Sequence, residues 1–173
     1  MTTFMHRLMG VTVFDVDTYE DVEADVSSTA QALAVVAGVA IAAGLGVRGF
    51  GAAPGRAFEL GVAAIVGWAA WAVLTYEIGA RWFPEPQTEV DVGQLLRTLG
   101  FSAAPGLLLA AGVWPPFATP VFAFVPLWML ATMIVAVRQA LDYTSTARAI
   151  AVCVVGWALT IGIMVIVMSR SLS

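Results

Sequence analysis

Six of the twelve acidic residues of this chain, Asp15, Asp17, Glu20, Asp21, Glu23 and Asp25, fall within eleven consecutive positions. Carboxylates at that density grip a basic partner or form a solvated face. Two further glutamates, Glu59 and Glu77, bracket a charge-free run of seventeen residues, where an ionisable group can belong to a proton or ion path. A third polar group, Arg138, Gln139 and Asp142, closes another apolar run and is followed by Tyr143, Thr144 and Ser145. It suits a lipid headgroup or the acidic run, and equally a polar turn between two helices. His6 and Cys153 are the only residues of their kinds, which excludes a disulfide framework and argues against zinc or iron-sulfur chemistry. Cys153 has no base near it in sequence, and no phosphate loop, paired catalytic carboxylates or Ser-His arrangement occurs. No enzyme activity, cofactor or metal is expected.

The elements that must position these groups are membrane helices. With 60% hydrophobic and 12% charged residues and a mean hydropathy of +0.89, the chain lies outside the soluble range. Charge-free stretches fall at 26–47, 60–76, 98–137 and 149–169. The forty residues of 98–137 are twice the length of one crossing, and Pro115 and Pro116 near their middle mark a tight turn. The expected fold is therefore all-α, a polytopic membrane protein of five transmembrane helices. Residues 1–25 form an amphipathic and acidic segment ahead of a five-helix domain at 26–173.

Short helices are expected to lie in the interface. Phe4, Met5, Leu8 and Met9 stand at helical spacing around His6 and Arg7. Asp17 and Glu20 have the shape of a capping box for a second short helix, and Asp91 is the expected cap of a third, at 91–99, before the third span. His6 is ordinarily a packing residue in such a setting rather than a ligand. Pro105, Pro120 and Pro126 are expected to bend or shorten the third and fourth spans.

Small residues recur at a spacing of four in the first span, Ala34, Gly38, Ala42 and Gly46, a face that lets another backbone come close. Gly38 and Ala42 are its centre. Glu77 and Arg81 are in the favourable order for an i,i+4 ion pair, and charges at helix ends ordinarily anchor a span. An N-terminus inside places Arg7, Arg81, Arg97, Arg138 and Arg148 in the cytoplasm and Arg48, Arg56 and Arg170 outside, five against three. Eight arginines without a lysine, with heavy use of Ala, Val and Gly, suit the coding habit of a GC-rich bacterium and hence its inner, cytoplasmic membrane.

Three stretches carry a family likeness: LRTLGFSAAPGL at 96–107, the acidic DTYEDVEAD at 17–25, and WMLATMIVAVRQALDYTSTARAI at 128–150. With the span count, they resemble the bacterial branch of the Yip family of membrane proteins. The eukaryotic tyrosine-glycine-proline signature is absent from the acidic segment. The resemblance implies five helices, a cytoplasmic N-terminus and work through other membrane proteins, and it implies no reaction.

The expected function is a non-catalytic scaffold or adaptor that binds other integral membrane proteins, with lipid around it and no nucleic acid as partner. One form of it is an accessory subunit of a hetero-oligomeric energy-converting complex, respiratory or photosynthetic. The expected contact residues are Asp17, Tyr19, Glu20, Asp21, Glu23, Gly38, Ala42, Arg138 and Asp142. The competing expectation is a small transporter or channel using Glu59 and Glu77, since broken helices often line binding sites.

Overall fold

The computed structural model of the chain describes residues 3–82, 84 and 91–171, with their side chains as far as residue 158 apart from that of Ala80. Seven α-helices follow one another: α1 (Phe4–Thr12), α2 (Val16–Ala24), α3 (Ser28–Gly46), α4 (Pro54–Tyr76), α5 (Val92–Ser102), α6 (Pro115–Ala140) and α7 (Thr146–Ser171). Tighter 3-10 turns extend α3 over Val47–Phe50 and α5 over Ala104–Val113, and a wider π-type segment, Glu77–Trp82, follows α4. Among the described residues there is no strand.

Four helical stretches are long and apolar enough to cross a bilayer: Ser28–Phe50, Pro54–Gly79, Val92–Val113 and Pro115–Ala140. The turn foreseen at the paired prolines is a single residue. Trp114 adopts an extended conformation between Val113 and Pro115, and Pro115 occupies the first helical turn, where its missing N–H costs nothing. Pro120 and Pro126 lie inside α6, which stays helical from Pro115 to Ala140. Pro105 acts differently. It opens the 3-10 segment, whose ten residues rise about 2.0 Å each and stretch the span further than an α-helix would.

The helix expected in the interface before the third span is instead the first half of that span. Leu95, Arg97, Thr98, Leu99, Gly100, Phe101 and Ser102 are all buried. Of its apolar stretch 67% is buried, against 44% in α3, 17% in α4 and 22% in α6, so this span is the most enclosed of the four. Asp91 does cap it, accepting from the Gly93 amide while the Gln94 side chain takes the Asp91 amide, the reciprocal arrangement of a capping box. The cap of α2 is Asp15 rather than Asp17, and Asp15 accepts from the Thr18 hydroxyl at 2.6 Å.

The small-residue face of α3 is used inside the bundle. A Cβ at Gly38 would touch Leu107, one at Gly46 would collide with the Leu109 carbonyl, and Ala42 packs with Leu109 and Val125. Gly38 and Ala42 therefore hold the third span, not an outside partner. On its other side α3 meets α4, where a Cβ at Gly44 would lie 2.6 Å from the Ala57 carbonyl. The closed order is α3, the third span, α6, α7, α4 and back to α3.

Thr132, fully buried in α6, ties that helix to the third span. Pro105 has no N–H to offer the Ser102 carbonyl, and the Gly106 amide bonds Ala103 instead. The Thr132 hydroxyl reaches the Ser102 carbonyl at 2.7 Å, satisfying an acceptor that hydrocarbon would leave bare.

Candidate partner-binding cleft

The acidic run becomes helix α2, and its period sorts the residues. Thr18, Tyr19 and Val22 turn inward, and Asp17 and Glu20 stay exposed. Phe14 takes the left-handed conformation, φ 65°, and reverses the chain so that α1 folds back across α2. The two helices cross at Gly10, where any side chain would collide with Thr18. The Tyr19 hydroxyl lies 3.2 Å from the Val11 carbonyl and 3.0 Å from the Thr132 carbonyl, and burial raises the phenol further above its ordinary pKa. Trp128 donates to the Thr12 carbonyl at 2.9 Å, so α1 and α2 are pinned together onto α6. Tyr19 is thus an anchor of the fold and not a contact for a partner, because none of its side chain is exposed.

Arg7 reorganises the run more than any acid in it. Its guanidinium, only 4% exposed, pairs through Nε with Asp21 at 2.9 Å and through Nη2 with Asp25 at 2.7 Å, and donates from Nη1 to Gln31 at 3.1 Å. Asp25 also accepts from the Ser27 hydroxyl and amide. These bonds, the Ser27 hydroxyl first and Arg7 next, hold its carboxyl down at about 2. Asp15, Asp21 and Asp25 are therefore structural. Arg138, whose group the sequence set against a lipid headgroup or the acidic run, donates from Nε to the Tyr143 carbonyl at 3.4 Å.

Glu20 and Glu23 form no ion pair among the described residues. They line a cleft of about 250 Å³ with Ala24, with Gln94 of α5, and with Gln139 and Asp142 at the end of α6. Asp142 reaches it from a left-handed turn, φ 50°, that stops α6. The buried Arg97 comes close but faces the backbone, donating from Nε at 3.1 Å and Nη2 at 2.5 Å to the Glu23 carbonyl at the C-terminal end of α2. The cleft is thus lined by three carboxylates and two amides without a basic side chain. Among the described residues, no set of His, Cys, Asp and Glu is placed to hold a metal ion.

Glu23 carries the electrostatic signature. Half-burial first, then the nearby Asp142 and Glu20 charges, push its pKa up against the opposing pull of Arg97. A carboxyl raised in the folded state favours its protonated form there, so ionised Glu23 subtracts stability above that pKa and the loss fades as pH falls. Glu23→Gln is accordingly expected to raise the melting temperature by a few degrees at pH 8, with the gap closing towards pH 4. Thermal unfolding at both pH values measures this, and an equal gap at both would contradict it.

Sequence reasoning missed Arg7 and Arg97. Arg7 is the one arginine in the first 25 residues, ahead of the acidic run, which was signal enough. Arg97 stands beside Leu95, Leu96 and Leu99, and nothing in that pattern separates a buried arginine from an interfacial one.

The glutamates of the transport expectation are not brought together. Glu77 pairs with Arg81, both carboxylate oxygens at 2.9 Å from Nη1, as the spacing implied. Glu59 is exposed, 3.6 Å from Arg56, eighteen residues and so about 27 Å along α4. No family model, curated protein or solved structure matches the chain. Function has to be read from this geometry.

Proposed function

We propose that the chain is a non-catalytic membrane adaptor of the Yip type that holds a basic juxtamembrane segment of another integral membrane protein in the cleft of Glu20, Glu23 and Asp142. The observation that carries this reading is the placement of Glu20 and Glu23, neither in an ion pair among the described residues, in a cleft without basic lining, with Glu23 disfavoured as an ion by its own surroundings. A guanidinium or ammonium from a partner relieves that repulsion, whereas the anionic lipids of the cytoplasmic leaflet add to it.

The orientation fits the same chemistry. With α1 and α2 in the cytoplasm and α7, 26 residues or about 39 Å long, as the fifth crossing, the cleft faces the side on which membrane proteins concentrate Lys and Arg beside their spans. The acidic face of α2 complements what the positive-inside rule places there. An accessory position in an energy-converting assembly of the inner membrane is one setting for such an adaptor.

Two experiments bear on it. With Cys153→Ala as background, Arg48→Cys should react with a membrane-impermeant maleimide only from outside, and labelling from the cytoplasmic side would reverse the orientation. Glu20→Gln, Glu23→Gln and Asp142→Asn together should release the partner from affinity-purified membranes while the melting temperature holds or rises. An unchanged complex would refute the cleft as its seat.

A further inference from the structure

On the face of α3 and α4 turned away from the bundle, a furrow of about 450 Å³ runs between the two helices. Buried Ala40, Gly44 and Ala57 make its floor, and exposed Ile41 and Phe58 stand at its rims. Its lining is apolar except at one end, which Arg48 and Pro54 close. The exposed guanidinium of Arg48 makes no ion pair or hydrogen bond among the described residues. At the same end α4 begins without a capping side chain. Ala53 precedes it, Pro54 has no N–H, and Ala57 bonds the Ala53 carbonyl, which leaves the Gly55 and Arg56 amides without an acceptor. Arg56 lies 3.6 Å from Glu59, so these two charges offset each other and that of Arg48 is left over.

Exposed apolar side chains are ordinary where a helix faces lipid, and an arginine at the end of a span ordinarily snorkels to the surface. A furrow that ends on the arginine is less ordinary. From Ala37 at its far end to Arg48 is eleven positions, about 16 Å along the helix. The hydrocarbon core is about 30 Å thick, so the furrow has the depth of one leaflet. A headgroup held at Arg48 therefore lays its acyl chain along the whole length. An α-helix about 10 Å across would rest on the rims of Ile41 and Phe58 and leave the floor empty, whereas a single hydrocarbon chain reaches it.

We infer that this furrow seats one anionic phospholipid of the leaflet at the Arg48 end. Its phosphate accepts from the Arg48 guanidinium and lies at the uncapped first turn of α4, and one acyl chain follows the floor past Gly44 and Gly61. A zwitterionic lipid brings the same phosphate but also an ammonium, which the surplus charge of Arg48 repels. The acidic cleft lies at the opposite end of α3, so the test does not involve the partner.

The full chain, stripped of lipid in a non-ionic detergent, is titrated with dioleoyl phosphatidylglycerol or dioleoyl phosphatidylcholine, and the lipids bound per chain are counted by native mass spectrometry. One phosphatidylglycerol should bind about tenfold more tightly than the first phosphatidylcholine. Arg48→Gln should abolish that preference, while Arg81→Gln, beyond the other end of α4, should leave it intact. Ala37→Phe, which puts a ring into the far end of the furrow from an exposed position, should weaken both lipids. Equal binding of the two lipids by wild type, a preference that survives Arg48→Gln or falls as far in Arg81→Gln, or unchanged lipid binding in Ala37→Phe would overturn the site. A lipid-free dimer that Ala37→Phe dissociates would overturn it as well, and give the furrow to a second copy of the chain.

Discussion

Arg7→Met should detach the N-terminal helix pair from the membrane domain. The methionine keeps the apolar stem of the side chain and removes the charge, so Asp21 and Asp25 are left to repel each other across Gln31. Removing one partner of a fully buried pair costs about 3–5 kcal/mol. Here the arginine is buried but the carboxylates are 41% and 33% exposed, so solvent screens part of that and about 2–3 kcal/mol is expected. The effect should be local. Limited proteolysis should release the first 25 residues from Arg7→Met while α3 to α6 stay protected. Arg7→Lys should restore little, since one ammonium cannot serve three acceptors in the plane of a guanidinium. Asp21→Asn with Asp25→Asn in the Arg7→Met background should recover most of the loss. Wild-type protection in Arg7→Met would show that the Tyr19 and Trp128 contacts alone hold the pair.

Gly46→Ala should be worse, though it adds a single methyl group. The new Cβ would collide with the Leu109 carbonyl and come within 2.8 Å of Phe122, and a few residues on, Gly49 makes the same backbone approach to the Gly112 carbonyl. Backbone cannot yield as a side-chain end does, so α3 and the third span must part. That exceeds ordinary overpacking, and a loss of about 3 kcal/mol or more follows. Size-exclusion profiles and thermal unfolding in mild detergent should show aggregation or an early melt. Gly55→Ala is the control, because a Cβ there meets nothing within 4 Å and helix propensity favours alanine. Equal behaviour of the two variants would mean that the glycines of α3 do not set the helix spacing.

These two sites differ in how far they could be read from the sequence. The spans were legible because charge-free length is a physical requirement of the bilayer, and the turn at Trp114 because the adjacent Pro115 and Pro116 fall at the middle of a run twice the length of one crossing. The i,i+4 pair of Glu77 and Arg81 and the cap at Asp91 were legible because both are local. Spacing of Gly38, Ala42 and Gly46 announced a close backbone approach but not its direction, and the structure turns it inward. Periodicity likewise could not tell a buried third span from an interfacial helix, since Leu95, Leu99 and Phe101 form the same stripe in either setting.

The acidic run was legible as a cluster and not as a site. Composition treats its six carboxylates alike. The fold gives Asp21 and Asp25 to Arg7 and Asp15 to Thr18, leaves Asp17 exposed, and carries Glu20 and Glu23 to meet Asp142, about 120 residues away in the chain. Only a long-range contact separates the structural acids from those that face outward.

The most direct measurement is the mass of the particle that gentle detergent extracts from native membranes, with the composition of whatever travels with it. A complex in which this chain and another membrane protein co-migrate at fixed stoichiometry, and fall apart when Glu20, Glu23 and Asp142 are neutralised, is the expected result. A particle of one or two copies of this chain alone would contradict the adaptor reading.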